Sequence, residues 1–334
     1  MGEVSQESIF YRPEWSLAAL GNELKPLRFS NGKTQQDVVA EVVEKIKGGA
    51  KVVFINGVCG TGKSAIALNI ARQLGKAAIV VPVKALQKQY EQDYMGSKTV
   101  LKKNGQPMKI SMITGRDNHD SLFKEGASCA DPFLPDTIKL VEKNYEIIKG
   151  YYRDNPLLGG REVPPIKTLR RISIAPANPY WSPLVPADKD MPLTDARKKR
   201  YKGLNGKEFI FYHRKEGCGY YDQYQAYIDA DAIIFNAAKY KIETALNRKP
   251  ETALDIIDEA DEFLDSFANQ QSLNLTRLAQ SLTMLANAAP ALVEACRGIV
   301  ELIEREEREH GPLTLNEDMI YSLEQTGLYK MLKL

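Results

Sequence analysis

Two short stretches carry residues whose types and order could do phosphate chemistry. The first is Gly57-Val58-Cys59-Gly60-Thr61-Gly62-Lys63-Ser64, a G-x-x-x-x-G-K-S string. Glycines in that pattern let the backbone fold so that its N–H groups point at phosphate oxygens. A helix starting near Lys63 adds the positive end of its dipole. Gly57, Gly60, Thr61 and Gly62 then form the cradle, Lys63 reaches the β- and γ-phosphates of a nucleotide, and the Ser64 hydroxyl ligates magnesium. The second stretch is Asp258-Glu259-Ala260-Asp261, which follows Ala253-Leu254-Asp255-Ile256-Ile257. An acidic residue at the carboxyl end of a buried strand faces the crevice where ligands bind. Asp258 is expected to hold the metal through water, and Glu259 to orient and deprotonate an attacking water. Either string alone is also met as a glycine-rich turn or an acidic helix start. Together they point to ATP and Mg2+.

Chemistry of this kind needs a strand before each string and a helix after the first, and the periodicity supplies them. Residues 34–47 place Val38, Val39, Val42, Val43 and Ile46 at helical spacing, closed by Gly48 and Gly49. Residues 51–56 read as a short buried strand, 64–75 as an amphipathic helix closed by Gly75, 77–83 as a second strand and 84–94 as a third helix. Residues 150–192 are proline-rich and aperiodic, after which 231–236 and 253–258 restore apolar strands. The alternation implies an α/β fold with a parallel sheet, interrupted by a large insertion. Beyond Leu264 the pattern is helical, with Pro290 breaking it into two helices.

Composition sets the outer limits. With 334 residues, 43% apolar and 26% charged, the chain is globular rather than disordered. A net charge of +2 names no partner. No apolar run approaches the roughly 20 residues of a membrane span, and the N-terminus lacks the layout of a secretory signal. A cytoplasmic protein without a membrane partner is expected. Cys59, Cys129, Cys218 and Cys296 are far apart and form no C-x-x-C pair, so a disulfide framework is not expected. His119, His213 and His310 are scattered, which argues against a zinc site.

Further strings fall in an order that resembles the XPD/DinG-like branch of the superfamily 2 DNA helicases. Gln36, with Gln35 beside it, stands where that family has an adenine-recognising glutamine. Lys84-Ala85-Leu86-Gln87-Lys88-Gln89 resembles the family's T-x-A-L-Q-x-Q motif, which implies contact of Lys84 and Gln87 with single-stranded DNA. Gly115-Arg116-Asp117-Asn118 resembles the opening of its iron–sulfur region. Cys218-Gly219-Tyr220-Tyr221, Ala230-Asp231 through Asn236, and the acidic DEAD box then follow in family order. The resemblance covers residues 34–265 in pieces.

It implies a RecA-like P-loop ATPase lobe at 1–105 and 219–265, a basic insertion at 106–218 in the iron–sulfur position, and a helical, arch-like, incomplete segment at 266–334. An iron–sulfur cluster needs four thiolates. Only Cys129 and Cys218 lie in the relevant interval, and Ser121 stands near the first cysteine position, so no cluster is expected and both are read as ordinary thiols. The family's second RecA-like lobe, source of an arginine finger, is missing from the 73 residues after Asp261 and would come from another chain or have been lost by truncation.

Within the insertion, residues 161–216 carry 13 Lys or Arg against 6 Asp or Glu, including Arg197-Lys198-Lys199-Arg200. Interleaved with them are Tyr180, Trp181, Tyr201, Phe211 and Tyr212. Cations with exposed aromatics can hold a single strand, whereas buried aromatics would make the same region a solvated face anchored to the core. Tyr220, Tyr221, Tyr224 and Tyr227 share a helical face and read as core.

The leading expectation is the ATP-binding lobe of an ATP-dependent helicase that moves 5′ to 3′ on single-stranded DNA, nucleoid-associated in the cell. A nucleotide-dependent binding module with negligible turnover is the alternative. A small-molecule P-loop kinase is disfavoured by the acidic box and by the Lys84–Gln89 string.

Overall fold

The computed structural model describes residues 14–58, 60–159, 162–265, 278–283 and 293–309. Cys59, Pro290 and His310 fall outside that range. The chain divides into two compact units, Met1–Phe267 and Ala268–Leu334.

The first unit opens with a strap in which Trp15 is fully buried and donates its indole N–H to Leu24 O at 2.9 Å. Strands β1 (Ala18–Ala19) and β2 (Asn22–Glu23) turn back on each other. Helix α1 (Gln35–Lys47) is started by a capping box in which Thr34 and Asp37 each satisfy the other's backbone N–H. Helix α2 (Lys63–Leu74) follows the glycine loop and is buried on nearly every face. Its Asn69 accepts from Ser16 N at 2.7 Å and donates to Ser16 O at 3.1 Å, which stitches the strap to the helix.

Next come β3 (Ala77–Val81), α3 (Lys84–Tyr90), a π-helical turn at Glu91–Ser97, β4 (Lys98–Thr99) and β5 (Ile110–Ile113). The chain then leaves the sheet through α4 (Tyr145–Arg153), β6 (Leu184–Pro186), β7 (Arg197–Lys202), β8 (Glu208–His213), α5 (Gly219–Asp222) and α6 (Ala226–Asp229). It returns as β9 (Ala232–Asn236), α7 (Ala237–Ala245), β10 (Leu254–Ile257) and α8 (Ala260–Asp265).

Four strands form one parallel sheet in the order β10-β3-β9-β5. Its two faces are covered differently, as a parallel sheet requires. Ala77, Ile79, Val81, Ala232 and Ile234 pack with α1 and α2. Ala78, Ile233 and Phe235 pack with the inserted antiparallel sheet β6-β8-β7 and its tyrosines.

Two sequence expectations need correction here. Ile110–Ile113 pairs with β9 as the far edge of the parallel sheet, so the excursion runs from 114 to 231 rather than beginning at 106. A four-residue strand behind a polar turn gave too weak a period to be seen. Residues 51–56, expected as a buried strand, pair with no strand among the described residues. Only Val53 packs on the core, and Phe54 is 84% exposed, with Val52, Ile55 and Val58 exposed beside it. A buried strand needs a ladder partner, and β10 leaves its outer edge unpaired in this sheet.

In the second unit, α9 (Val293–Glu309) buries Cys296 and Ile303. No described helix is long and apolar enough to cross a membrane.

Candidate nucleotide and metal site

The glycine loop and the acidic tetrad meet at the carboxyl ends of the parallel strands. Gly60 and Gly62 adopt φ of +85° and +71°, left-handed values that an L side chain rarely takes. Gly62 is constrained twice, because a Cβ there would stand 2.3 Å from Gln35 Nε2. The loop closes through Thr61, whose hydroxyl donates to Val58 O at 2.9 Å. Helix α2 then begins at Lys63, so its first N–H groups face the loop. Lys63 Nζ donates to Gly57 O at 3.3 Å and lies 2.8 Å from Glu259 Oε1.

Glu259 sits at φ +50°, the left-handed region that costs a residue with a side chain about 1–2 kcal/mol. Its carbonyl accepts from Phe263 N at 3.1 Å, so the residue starts α8 from a strained position. Such outliers persist where the surroundings over-determine them, and here the ion pair to Lys63 is one of the constraints. Asp258 continues β10, its N–H donating to Val80 O at 2.9 Å. Burial raises the Asp258 carboxyl above the usual carboxylate range, and the Glu259 charge adds to this. The Tyr90 hydroxyl, 3.1 Å from Asp258 Oδ2, and the Lys63 charge oppose the shift. Tyr90 is thereby joined to one of the two expected metal ligands.

These residues fit a magnesium nucleotide. Gly60 has open space where a Cβ would stand. Ser64 and Asp258 offer the hard oxygen donors magnesium prefers, and such sites take only one or two protein ligands besides phosphates and water. Among the described residues no three His, Cys, Asp or Glu side chains group as a metal site, and none is needed for this mode.

The glutamine nearest the loop is Gln35. It is 2% exposed, donates to Thr61 O at 2.9 Å and accepts from Leu27 N at 2.9 Å. Gln36, singled out from the sequence, turns away and donates to Glu14 at 3.2 Å. Spacing alone did not separate two adjacent glutamines. Their helical phase does, since α1 buries Gln35 together with Val39 and Val42.

The expected nucleic-acid residues are more scattered. Lys84 is exposed and pairs with Asp117 at 3.2 Å. Gln87 is buried and directed at Ile113 O, 3.5 Å away, so it presents little surface. On the edge strand β7, Arg197, Lys198 and Arg200 pair with Glu216, Asp190 and Glu208, while Lys199 turns to Gln225 and His213. Trp181, Tyr201, Phe211 and Tyr212 are buried, and half-buried Tyr180 lies under Lys215. Tyr220, Tyr221, Tyr224 and Tyr227 are buried too. These aromatics are core, and no stacking surface is built from them.

The structure also joins two residues that the sequence left separate. Cys129 and Cys218 lie 3.7 Å apart, both buried. The contact between the two sulfurs pushes the Cys129 thiol up and lowers that of Cys218 to about 7.

The glycine loop ahead of α2 and the helix-covered parallel sheet make an α/β unit with the RecA-like P-loop fold. Residues 29–150 match the family described as type III restriction enzyme, res subunit, a superfamily 2 helicase-like ATPase family. The match takes in α1, the glycine loop, α2, β3, α3 and β5, and ends well before Asp258. Neither a curated protein nor a solved structure matches the chain.

Proposed function

We propose that this chain is the ATP-hydrolysing lobe of a DNA motor of the XPD/DinG-like branch, stepping 5′ to 3′ on single-stranded DNA. The observation that supports it most is the 2.8 Å pair between Lys63 of the loop and Glu259 of the acidic tetrad, with Asp258 held by the Tyr90 phenol beside it. In this reading the loop amides and the start of α2 bind the triphosphate. Lys63 leaves Glu259 for phosphate oxygens, because a charge-assisted bond to a phosphate competes well against a half-exposed carboxylate. Glu259, released, orients a water and takes its proton. Magnesium, when bound, neutralises charge on the phosphates, and Ser64 and Asp258 are the residues that would hold it. The hydrogen bond of Gln35 to Thr61 O supports giving the adenine-recognising role to Gln35 rather than Gln36. A second RecA-like lobe supplies the arginine finger.

The alternative, a nucleotide-dependent binding module, draws support from the same pair: Glu259 is engaged by Lys63 rather than standing free for water. Steady-state ATP hydrolysis with and without a single-stranded oligonucleotide separates the two. The motor reading expects stimulation by DNA and its loss in Glu259→Gln. Tight nucleotide binding with no turnover in either condition supports the module instead.

A further inference from the structure

One buried hydroxyl at this site has no assigned task. Tyr90 ends α3, is 1% exposed and packs its ring 5.7 Å from that of Tyr94 on the π-helical turn that follows. Irregular turns of that kind are frequent at functional positions. A phenol has a single proton, and Tyr90 gives it to Asp258 Oδ2 at 3.1 Å. The second Asp258 oxygen is left for a cation.

We infer that Tyr90 is a positioning residue: it holds the Asp258 carboxylate in the placement a divalent cation needs, before the cation arrives. The inference rests on the magnesium–nucleotide reading of the site and extends it to a side chain outside both motifs. The physical reason is pre-organisation. Asp258 is a desolvated carboxylate one residue from a second carboxylate, and without a donor it would be drawn toward Lys63 or water. Groups that orient metal ligands in this way matter to affinity nearly as much as the ligands do. The arrangement also gives α3 two ends with different tasks. Lys84, at its exposed start, is about 9 Å along the helix axis from the Tyr90 backbone, at 1.5 Å per residue.

The test is Tyr90→Phe, which keeps the buried ring and removes only the hydroxyl. A fluorescent ATP analogue is titrated onto wild type and variant across a magnesium series and again in EDTA. The expected result is a roughly tenfold rise in the magnesium needed for half-saturation, with unchanged affinity in EDTA and an unchanged melting curve. An identical magnesium requirement, or an equal loss of affinity in EDTA, overturns the inference, because both mean that the hydroxyl does not act on the metal ligands. A double-mutant cycle with Asp258→Asn gives an independent check. Tyr90→Phe should add little to Asp258→Asn if they act on one unit, and full additivity counts against it. Wild-type protein that binds the analogue in neither condition defeats the underlying reading as well as this one.

Discussion

Lys63 and Glu259 neutralise each other at 2.8 Å, so two groups expected to act on a triphosphate are held together in its place. The neighbouring Asp258 is costly to the fold, because burial makes its charged form less favourable folded than unfolded. That cost is fully present above the raised folded-state value and disappears once pH falls below the ordinary carboxylate value, where the group is protonated folded and unfolded alike. Asp258→Asn should therefore melt higher at pH 7, by roughly 2 °C, and lose the gain below about pH 3 while abolishing hydrolysis. A thermal melt at the two pH values checks this, and an equal gain at both would place its origin elsewhere. The two glutamines allow a sharper contrast. Gln35→Ala removes the buried donor to Thr61 O and should weaken nucleotide binding by about tenfold, the value of a lost buried hydrogen bond of about 1.4 kcal/mol. Gln36→Ala should change it little. Equal effects would show that the loop does not depend on Gln35.

Among the elements, those whose sequence period matched their burial were legible. The helix at 34–47, the glycine loop with α2, and the strands at β3, β9 and β10 stand where apolar spacing and glycine punctuation put them, within a residue or two. The acidic tetrad was legible for the same reason, because a strand of apolar residues delivers Asp258 to the sheet's carboxyl end. Residues 51–56 were misread because an apolar run reports what a segment can bury, whereas a strand also needs a partner ladder. Phe54→Ser distinguishes the two situations. At an 84% exposed position it should cost no more than about 0.5 kcal/mol, against 3–5 kcal/mol for truncating a buried phenylalanine. Chemical denaturation measures the difference, and a loss near the larger figure would mean that this segment is buried in solution. The meeting of Cys129 with Cys218, and of Tyr90 with Asp258, was not legible. Those contacts join residues far apart in sequence, and no local period encodes them.

Over the whole molecule, the basic character of residues 161–216 was visible in composition, and its use was not. The aromatics that composition could have offered as stacking platforms form the core between the parallel sheet and β8. Arg197, Lys198 and Arg200 of β7 remain on the surface in ion pairs, which at exposed positions are worth at most about 1 kcal/mol and exchange readily for phosphate. If β7 tracks a DNA backbone, replacing Arg197, Lys198 and Arg200 together with alanine should weaken oligonucleotide binding and lower the slope of log affinity against log salt by about 2, at roughly 0.7 per phosphate contact on a single strand. An unchanged slope would return the strand to the role of a charged edge that discourages pairing.

The most direct measurement on the ATP site is calorimetric titration of magnesium ATP into the wild-type chain and into Lys63→Ala. The account predicts saturable binding at one site in the first and none in the second, with both proteins folded by circular dichroism. Undiminished affinity in Lys63→Ala would contradict it, since a triphosphate would then be held somewhere other than between the glycine loop and the carboxylates of Asp258 and Glu259.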